Sequence, residues 1–416
     1  MKIRAFHGLR FGGSAERAGA LAAPPYDQIN DRKRDALHRV EHHFAHLIRP
    51  VAAPSGDGDD PSATHRHSAE LHAAWRDRGV VVRDPQPALY GNSIEDAEGT
   101  IRYGLTALID LEEPASGLIR PHEETVEKTV TERLGLLRTT GADYEPILLL
   151  ADDRGALESL LAEDCAGEAL AAHVDEYGNT HRLYAITAAD RIERYRRALA
   201  PSYGLIADGH HRYRTAGLYA AEVGAERGTA AAAKLGVITS LESTALAIDP
   251  IHRALPLAVP PTAIEAVALG RVRLEDLGGA DLARAVADAD QPALAVLRPD
   301  GTADLWQLDP AHGPDDLPAA ASDLAVILLH RTLFPRIGLS AANATDGTVS
   351  YRSDPDDLTR EVLAGDFAAG VFLPPMTAAG FAAAVADGDV LPPKSTRFLP
   401  KVASGLVWAD HADPIA

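Results

Sequence analysis

The chain has 416 residues, of which 60 are acidic and 40 are Lys or Arg, giving a formal net charge of −20 at pH 7. This length favours two or three packing units, and the negative charge argues against general nucleic-acid binding, because a phosphate backbone requires a strongly positive face. The single cysteine, Cys165, excludes a disulfide framework and a multi-cysteine zinc site. Because no secretory signal pattern and no long apolar run is present, we expect a cytoplasmic protein without a membrane partner.

The first 110 residues are predicted to form an N-terminal α/β region. In chain order it contains a short strand, a turn at 24–27, a helix at 32–40, a strand at 44–48, a surface loop at 52–62, a helix at 63–79 and strands at 88–90 and 101–109. Three histidines lie on the second of these helices. His65 and His72 share a face but lie two turns apart, too far to hold one ion, and His67 points elsewhere. We therefore predict a solvated helix face there rather than a metal site.

Residues 111–255 are predicted to form a second region with alternating strands and helices, and residues 256–416 an α+β unit. The second region contains an amphipathic helix at 126–137, strands at 146–150, 181–186 and 203–207, a helix at 189–199 and a helix that begins after Gly209. The last region contains a strand at 294–297, a helix near 319–333, a strand at 369–373 and a Pro-rich loop with a final strand at 391–407. The fold class is therefore mixed α/β.

The motif Asp208-Gly209-His210-His211-Arg212 lies between an apolar strand and a helix. A helix N-terminus attracts anions through its unpaired N–H groups and its partial positive charge. The glycine permits close approach of a ligand, the arginine fork suits phosphate oxygens, a histidine can donate or accept a proton, and the aspartate can hold Mg²⁺ or act as a base. The alternative interpretation is an Asp-Gly turn with a capping aspartate and a surface arginine.

A second motif, Arg120-Pro121-His122-Glu123-Glu124, directly precedes the amphipathic helix. It can be structural, because proline suits the first turn of a helix and glutamates stabilise its positive end. It can also supply a carboxylate that faces the Asp208–Arg212 motif, and we predict that it does.

The order of these two motifs resembles the core of the ParB/sulfiredoxin-like superfamily, and most closely its free-serine kinases. The resemblance covers roughly residues 117–220. It implies that Glu123 or Glu124 is the general base, that Asp208 assists catalysis or holds Mg²⁺, and that residues 209–212 hold the phosphates of ATP or ADP. The chain departs from a compact member of that superfamily by an insertion between Leu150 and Asp208, which puts the shape of the nucleotide pocket in question.

Five landmarks along nearly the whole chain are similar to those of the domain of unknown function 1015 family. They are Pro24-Pro25-Tyr26-Asp27, His122-Glu123, the segment 208–213, Pro250-Ile251-His252-Arg253 and Pro392-Pro393-Lys394-Ser395-Thr396-Arg397-Phe398. Leu391 stands where the family pattern has Met, and Ile251 where it has Thr. The resemblance implies membership more directly than it implies an activity.

Three of these landmarks supply further candidate site residues. Lys394, Ser395, Thr396 and Arg397, with Lys401 nearby, form a cationic, hydroxyl-bearing run that lacks the glycines of a P-loop. We predict that it returns to the central site as a second anion clamp; the alternative is an exposed loop. Asp27, His252 and Arg253 are candidate substrate contacts, with Arg120 and His122, although each also fits an ordinary turn or strand end.

Together these features predict a nucleotide-dependent phosphotransferase acting on a hydroxyl of a small metabolite, such as serine. Phosphoryl transfer requires mainly positioning and charge neutralisation, and the two motifs supply groups for both. Two alternatives remain open: a phosphohydrolase that uses the same site, and a nucleotide-binding regulator without turnover. The acceptor, the nucleotide, the choice between the two glutamates and the oligomeric state are not determined by the sequence.

Overall fold

The computed structural model describes residues 1–53, 61–113, 116–290, 292–317, 319–386 and 391–415. The chain is mixed α/β, as predicted, and divides into two compact units. Unit 1 contains residues 1–246 and 400–416, and unit 2 contains residues 247–399. Among the described helices, none combines the length and apolar character needed to cross a bilayer.

Unit 1 holds most of the strands and the two predicted motifs. Its strands up to residue 246 are β1 (Ile3–Arg4), β2 (Leu9–Phe11), β3 (Val81–Arg83), β4 (Leu89–Glu95), β5 (Ile101–Asp110), β6 (Ile119–Arg120), β7 (Ala142–Asp143), β8 (Ile147–Ala151), β9 (Ala171–Val174), β10 (Thr180–Ile186), β11 (Gly204–Asp208) and β12 (Ala233–Ser240). Its helices are α1 (Ala15–Ala20), α2 (Asp31–Leu37), α3 (Ala45–Ile48), α4 (Pro61–Asp77), α5 (Glu127–Thr140), α6 (Ala156–Asp164), α7 (Ala189–Leu199) and α8 (His210–Glu222).

A nine-stranded mixed sheet forms the centre of unit 1. Its order is β6-β11-β8-β12-β5-β4-β10-β9, with β1 pairing to β5. The β11–β6 and β12–β8 pairs are parallel and the other pairs are antiparallel. Every residue of β8 and of β12 is buried, and the sequence of β8 is continuously apolar. This buried sheet carries β11, and therefore fixes the position from which α8 starts.

Unit 2 is a smaller α/β unit with a six-stranded sheet of order β15-β17-β16-β19-β14-β18. Its strands are β13 (Ala247–Asp249), β14 (His252–Leu255), β15 (Ala268–Leu274), β16 (Ala293–Leu297), β17 (Ala303–Leu308), β18 (Ser350–Arg352), β19 (Ala369–Phe372) and β20 (Arg397–Leu399). Its helices are α9 (Pro261–Glu265), α10 (Gly279–Asp288), α11 (Ala319–Ser322), α12 (Ala325–Ile327), α13 (Phe334–Arg336), α14 (Pro355–Leu363) and α15 (Ala378–Ala384). The last strand of the chain, β21 (Ala409–Asp410), belongs to unit 1 and pairs with β7.

Three expectations about local structure were wrong. Residues 45–48 form α3 rather than a strand, since their apolar run is too short for periodicity to separate the two. His65 and His72 are buried, and His72 Nε2 accepts a hydrogen bond from Trp408 Nε1 at 3.2 Å, so this face of α4 is not solvated. The helix expected at 319–333 is broken into α11, α12 and a π-helical turn at Leu328–Leu333. Most of the surface loop expected at 52–62 lies outside the described residues.

The units also differ from the three regions expected from the sequence. Residues 1–110 and 111–246 share one sheet, because β4 and β5 pair with β10 and β12. The last seventeen residues return to unit 1 rather than staying with the C-terminal unit. Strand pairing over long sequence separations decides both points.

Candidate functional site

The Asp208-Gly209-His210 segment forms a sharp corner between β11 and α8. Gly209 has φ +95°, and a Cβ at this position would lie 2.7 Å from Ile147 Cγ2 and 3.0 Å from Arg212 Nε. Both the left-handed backbone and the lack of space therefore require glycine. Among the described side chains, none caps the N-terminus of α8, so its first N–H groups retain their capacity to bind an anion.

Asp208 is held between two cations. Its Oδ2 accepts from Arg212 Nη2 at 2.7 Å, and its Oδ1 lies 3.1 Å from Lys401 Nζ. Burial favours a higher pKa for Asp208, but the charges of Lys401 and Arg212 outweigh it and hold this pKa well below its usual range. Asp208 is thus ionised near pH 7 and belongs to a partly buried ion-pair cluster.

Arg212 is only 8% exposed and uses both terminal nitrogens within the protein. Nη2 donates to Asp208, and Nη1 donates to the carbonyl oxygen of Pro146. This arrangement differs from the predicted one, in which Arg212 grips phosphate and Asp208 holds Mg²⁺. Both side chains are already engaged, and their visible role is to lock the corner in place.

His122 and His210 connect the two motifs. His122 Nδ1 lies 2.7 Å from the carbonyl oxygen of Ile206 and therefore donates to it, while the His122 backbone N–H donates to His210 Nε2 at 3.2 Å. Burial lowers the pKa of His122 to about 4 and holds the pKa of His210 well below its usual value. Both rings are neutral near pH 7, and His210 carries its hydrogen on Nδ1.

The first turn of α8 also binds the segment that leads into α5. His211 Nε2 accepts from the Val126 backbone N–H at 2.9 Å. Arg214 donates to Thr125 Oγ1 at 2.8 Å and to Glu127 Oε2 at 2.6 Å. These contacts fix Glu123 and Glu124 beside the start of α8, although the two motifs are more than 80 residues apart in the chain.

A cavity of about 940 Å³ opens where these two segments meet. Glu123 and Glu124 line it from the first motif, and His210 and Arg214 line it from the second. The other described polar residues that line it are Asp110, Glu112, Glu113, Thr125, Tyr213 and Arg227, and its apolar part includes Ile119, Ile206, Leu218, Ala220 and Ala221. This volume suits a ligand of the size of a nucleotide or a drug. Within unit 1 the structure therefore brings the predicted carboxylates and a predicted histidine into one space.

The sequence comparison assigns the chain to a family. The model of the family described as Protein of unknown function (DUF1015) matches residues 3–268, which is more than half of the chain. The chain belongs to the DUF1015 family. No curated protein matches the sequence of this DUF1015 protein significantly.

Several solved structures resemble the DUF1015 protein weakly. A conserved hypothetical protein from Pyrococcus furiosus has 16% identity and a TM-score of 0.35, over 72% of this chain and 95% of that one. A free serine kinase variant in complex with ADP has 16% identity and a TM-score of 0.36, over 75% and 95%. SbnI with a C-terminal truncation, from Staphylococcus aureus, has 12% identity and a TM-score of 0.37, over 71% and 84%. These TM-scores are too low to support an argument about activity.

Magnesium was predicted at Asp208, and the residues of the DUF1015 protein do not fit a resident ion there. Lys401 and Arg212 already neutralise this carboxylate, and a cation would have to displace them. Among the described residues, no group of three or more His, Cys, Asp or Glu side chains could hold a metal. A magnesium ion that arrives on a nucleotide would be part of the substrate.

Two further predicted residues in unit 1 lie near the corner or the cavity. Asp27 is exposed on the 3₁₀ turn Tyr26–Gln28 and lies within electrostatic reach of Arg212. The guanidinium of Arg120 lies 4.2 Å from the centre of the Tyr203 ring, and its Nε donates to the carbonyl oxygen of Gly117 at 2.8 Å. The predicted contacts of Asp27 and Arg120 with a substrate therefore stay proposals.

His252 and Arg253 lie on β14 in the core of unit 2. His252 Nδ1 accepts from the Leu373 backbone N–H at 3.2 Å, and burial lowers the pKa of His252 to about 4. Arg253 Nε donates to His330 Nε2 at 3.2 Å, and its guanidinium lies 5.0 Å from the centre of the Tyr351 ring. These contacts hold both side chains within unit 2, and their predicted role as substrate contacts stays a prediction.

The basic run 394–397 also belongs to unit 2. Lys394 is exposed with φ +58°, Ser395 Oγ donates to the carbonyl oxygen of Pro392 at 2.5 Å, and Arg397 begins β20. The anion clamp stays a prediction for this run, which consists of Lys394, Ser395, Thr396 and Arg397. Lys401, from the same basic stretch, belongs to unit 1 and contacts Asp208.

Sequence reasoning missed several residues that line the cavity. Tyr213 and Arg214 follow the second motif directly, and their position near the start of α8 was the available signal. Glu112, Glu113 and Arg227 lie in segments without a recognisable motif, so only the tertiary structure reveals them.

Proposed function

We propose that this DUF1015 protein is a nucleotide-dependent phosphotransferase, which moves a phosphoryl group from ATP or ADP to a hydroxyl of a small metabolite. The observation that carries the proposal is the cavity in which Glu123 and Glu124 meet His210 at the start of α8. One wall supplies candidate bases, and the other supplies donors for an anion.

The phosphates would bind at the N-terminus of α8. Its uncapped backbone N–H groups carry a partial positive charge, and Gly209 directly before them adds no side chain of its own. His210 would add a neutral N–H donor, and Arg214 and Arg227 add positive charge to the cavity lining. Asp208 and Arg212 would act as positioning residues, since they hold the corner in shape.

Glu123 or Glu124 would accept the proton of the acceptor hydroxyl. The hydroxyl oxygen would then form a bond to the transferred phosphorus while the bond to the bridging oxygen of the nucleotide breaks. Four glutamates, Glu112, Glu113, Glu123 and Glu124, make the wall acidic, which favours an acceptor that carries an ammonium group. Serine satisfies this requirement, and the motif order that resembles the free-serine kinases makes it the first acceptor to test.

The test is a ³¹P NMR assay of the purified full-length protein with ATP or ADP and a panel of hydroxyl acceptors that includes serine. We expect a new phosphomonoester signal, and we expect Glu123→Gln or Glu124→Gln to reduce its formation by about 100-fold or more. Glu222→Gln is the matched control, because Glu222 is exposed at the far end of α8 and pairs with Arg138.

The other outcomes would replace the proposal by one of its alternatives. Release of inorganic phosphate without an acceptor product would indicate a phosphohydrolase. Tight nucleotide binding with no product for any acceptor, in the unmutated protein and in both variants, would indicate a regulator.

A further inference from the structure

Arg102 lies in β5, near the centre of the nine-stranded sheet, and is only 2% exposed. Neither Nη1 nor Nη2 of its guanidinium has a hydrogen-bond partner among the described residues. Buried arginines are normally paired, because removing a guanidinium from water without compensation is costly. The orphaned side chain therefore indicates a missing partner.

Thr239 lies on the same face of the sheet, and its buried side chain also lacks a hydrogen-bond partner among the described residues. Ile238 of β12 pairs with Leu105, so Thr239 lies beside Gly104, and a Cβ at Gly104 would be 3.4 Å from Thr239 Oγ1. Because Arg102 and Gly104 are two residues apart in one strand, Arg102 and Thr239 are diagonal neighbours on one face.

Among the described residues, no carboxylate is paired with Arg102. Arg102 pairs with Ile94 across β4, and the next residue on that face of β4, Asn92, donates to Thr106 Oγ1. His181, opposite Ile94 in β10, is engaged with Asp175. Burial lowers the pKa of Arg102 to about 10, and no described carboxylate acts against it.

We propose that Arg102 and Thr239 form a binding site for an oxyanion, the carboxylate or phosphate group of a small ligand. The two terminal nitrogens of a guanidinium lie in one plane and match two oxygens of such a group, and the hydroxyl supplies a third donor. A spherical halide would satisfy this geometry less well. The ligand would provide the charge that the protein lacks at this position.

This site is independent of the proposed phosphotransferase site. Arg102 is not among the described residues that line the 940 Å³ cavity. The register also separates the two along the strands. Asp208 pairs with Leu148, near the start of β8. Arg102 comes before the β5 residues that pair with β12, and it therefore lies toward the end of β12.

The test measures thermal unfolding of the full-length protein in inorganic phosphate, acetate or chloride at constant ionic strength. We compare the unmutated protein with Arg102→Lys, Thr239→Val and the control Arg182→Met, whose arginine is half-exposed on β10 and pairs with Glu95. We expect phosphate or acetate, and not chloride, to raise the midpoint of the unmutated protein and of the control by about 3 °C or more. Arg102→Lys should abolish this rise, and Thr239→Val should reduce the affinity by roughly 10-fold.

The unmutated protein and Thr239→Val keep the proposal testable if Arg102→Lys does not fold. Thr239→Val removes an unsatisfied hydroxyl, so without anions it should be neutral or stabilising. A response to phosphate alone identifies a phosphate group, and a response to acetate alone identifies a carboxylate. No response to either anion, or an equal response in Thr239→Val, overturns the site. An equal response would also assign the anion to another position, such as the start of α8, and leave the phosphotransferase proposal standing.

Discussion

The backbone N–H of His122 donates to Nε2 of His210 across a distance of 3.2 Å, and the two rings lie nearly perpendicular with centres 4.5 Å apart. This contact joins motifs that are 88 residues apart. Nε2 of His210 therefore acts as a hydrogen-bond acceptor within the protein, and the neutral ring carries its hydrogen on Nδ1.

Replacing His122 by Phe is expected to lower the free energy of unfolding by about 1 to 3 kcal/mol. The phenyl ring keeps the backbone donor to His210 but leaves the buried carbonyl of Ile206 without its hydrogen bond from Nδ1. Urea unfolding at pH 7.5 measures the change. Unchanged stability would show that this hydrogen bond contributes nothing to the corner.

Gly209→Ala is expected to destabilise the protein by about 2 to 4 kcal/mol. The alanine would have to adopt a left-handed backbone conformation, and its Cβ would clash with Ile147. Gly217→Ala, on the same helix, is the matched control. A Cβ at Gly217 would meet no atom within 4 Å, so helix propensity should leave stability equal or raise it by up to about 1 kcal/mol. Denaturant midpoints of the two variants check this, and equal values would contradict the geometry of the corner.

Asp208→Asn is expected to cost about 3 to 5 kcal/mol, because it leaves Arg212 and Lys401 without their shared carboxylate. The folded-state pKa of Asp208 is depressed, so its contribution is complete above the unfolded-state value of about 3.9 and is lost as the pH falls below that value. Between pH 7 and pH 3, the free energy of unfolding should fall less in Asp208→Asn than in the unmutated protein. An identical fall in both proteins would contradict the ion-pair cluster.

Folding stability is also expected to fall as the pH decreases from about 6.5 to about 4. Burial lowers the pKa of His43, His72 and His122 to about 4, so in this window the unfolded chain binds protons that the folded chain excludes. Each of these histidines should remove roughly 2 kcal/mol of stability at pH 5. Denaturant unfolding at pH 7.5 and pH 5 measures the slope, and His43→Gln should make it shallower. A slope that does not change in this variant would mean that burial does not lower the pKa of His43 in the folded protein.

Much of the local structure could be predicted because its signals lie within a few residues. The helix at 189–199 was predicted with its observed bounds, since its apolar residues recur at helical spacing. The strand–glycine–helix corner at Asp208–His210 was also predicted, because its apolar run and its glycine are adjacent in the chain. The segment 45–48 was predicted wrongly, because a run this short carries no period of its own.

The partners of the site residues could not be predicted in the same way. The sequence indicated that Arg212 would face a ligand, whereas the structure directs it to Pro146, 66 residues earlier, and to Asp208. His72 was predicted to be solvated, yet it accepts from Trp408, 336 residues later. Such contacts depend on which surfaces meet after folding, and no local pattern records them.

The sequence by itself determined the family resemblance, the strand and helix on either side of Gly209, and the residue types available for chemistry. Tertiary structure alone decided that Glu123, Glu124 and His210 share a cavity, that Asp208 and Arg212 neutralise each other, and that Arg102 is buried without a described partner. The physical reason is the distance along the chain over which each effect acts. Backbone preference and periodicity act over neighbouring residues, whereas charge pairing and burial depend on groups that only the folded sheet brings together.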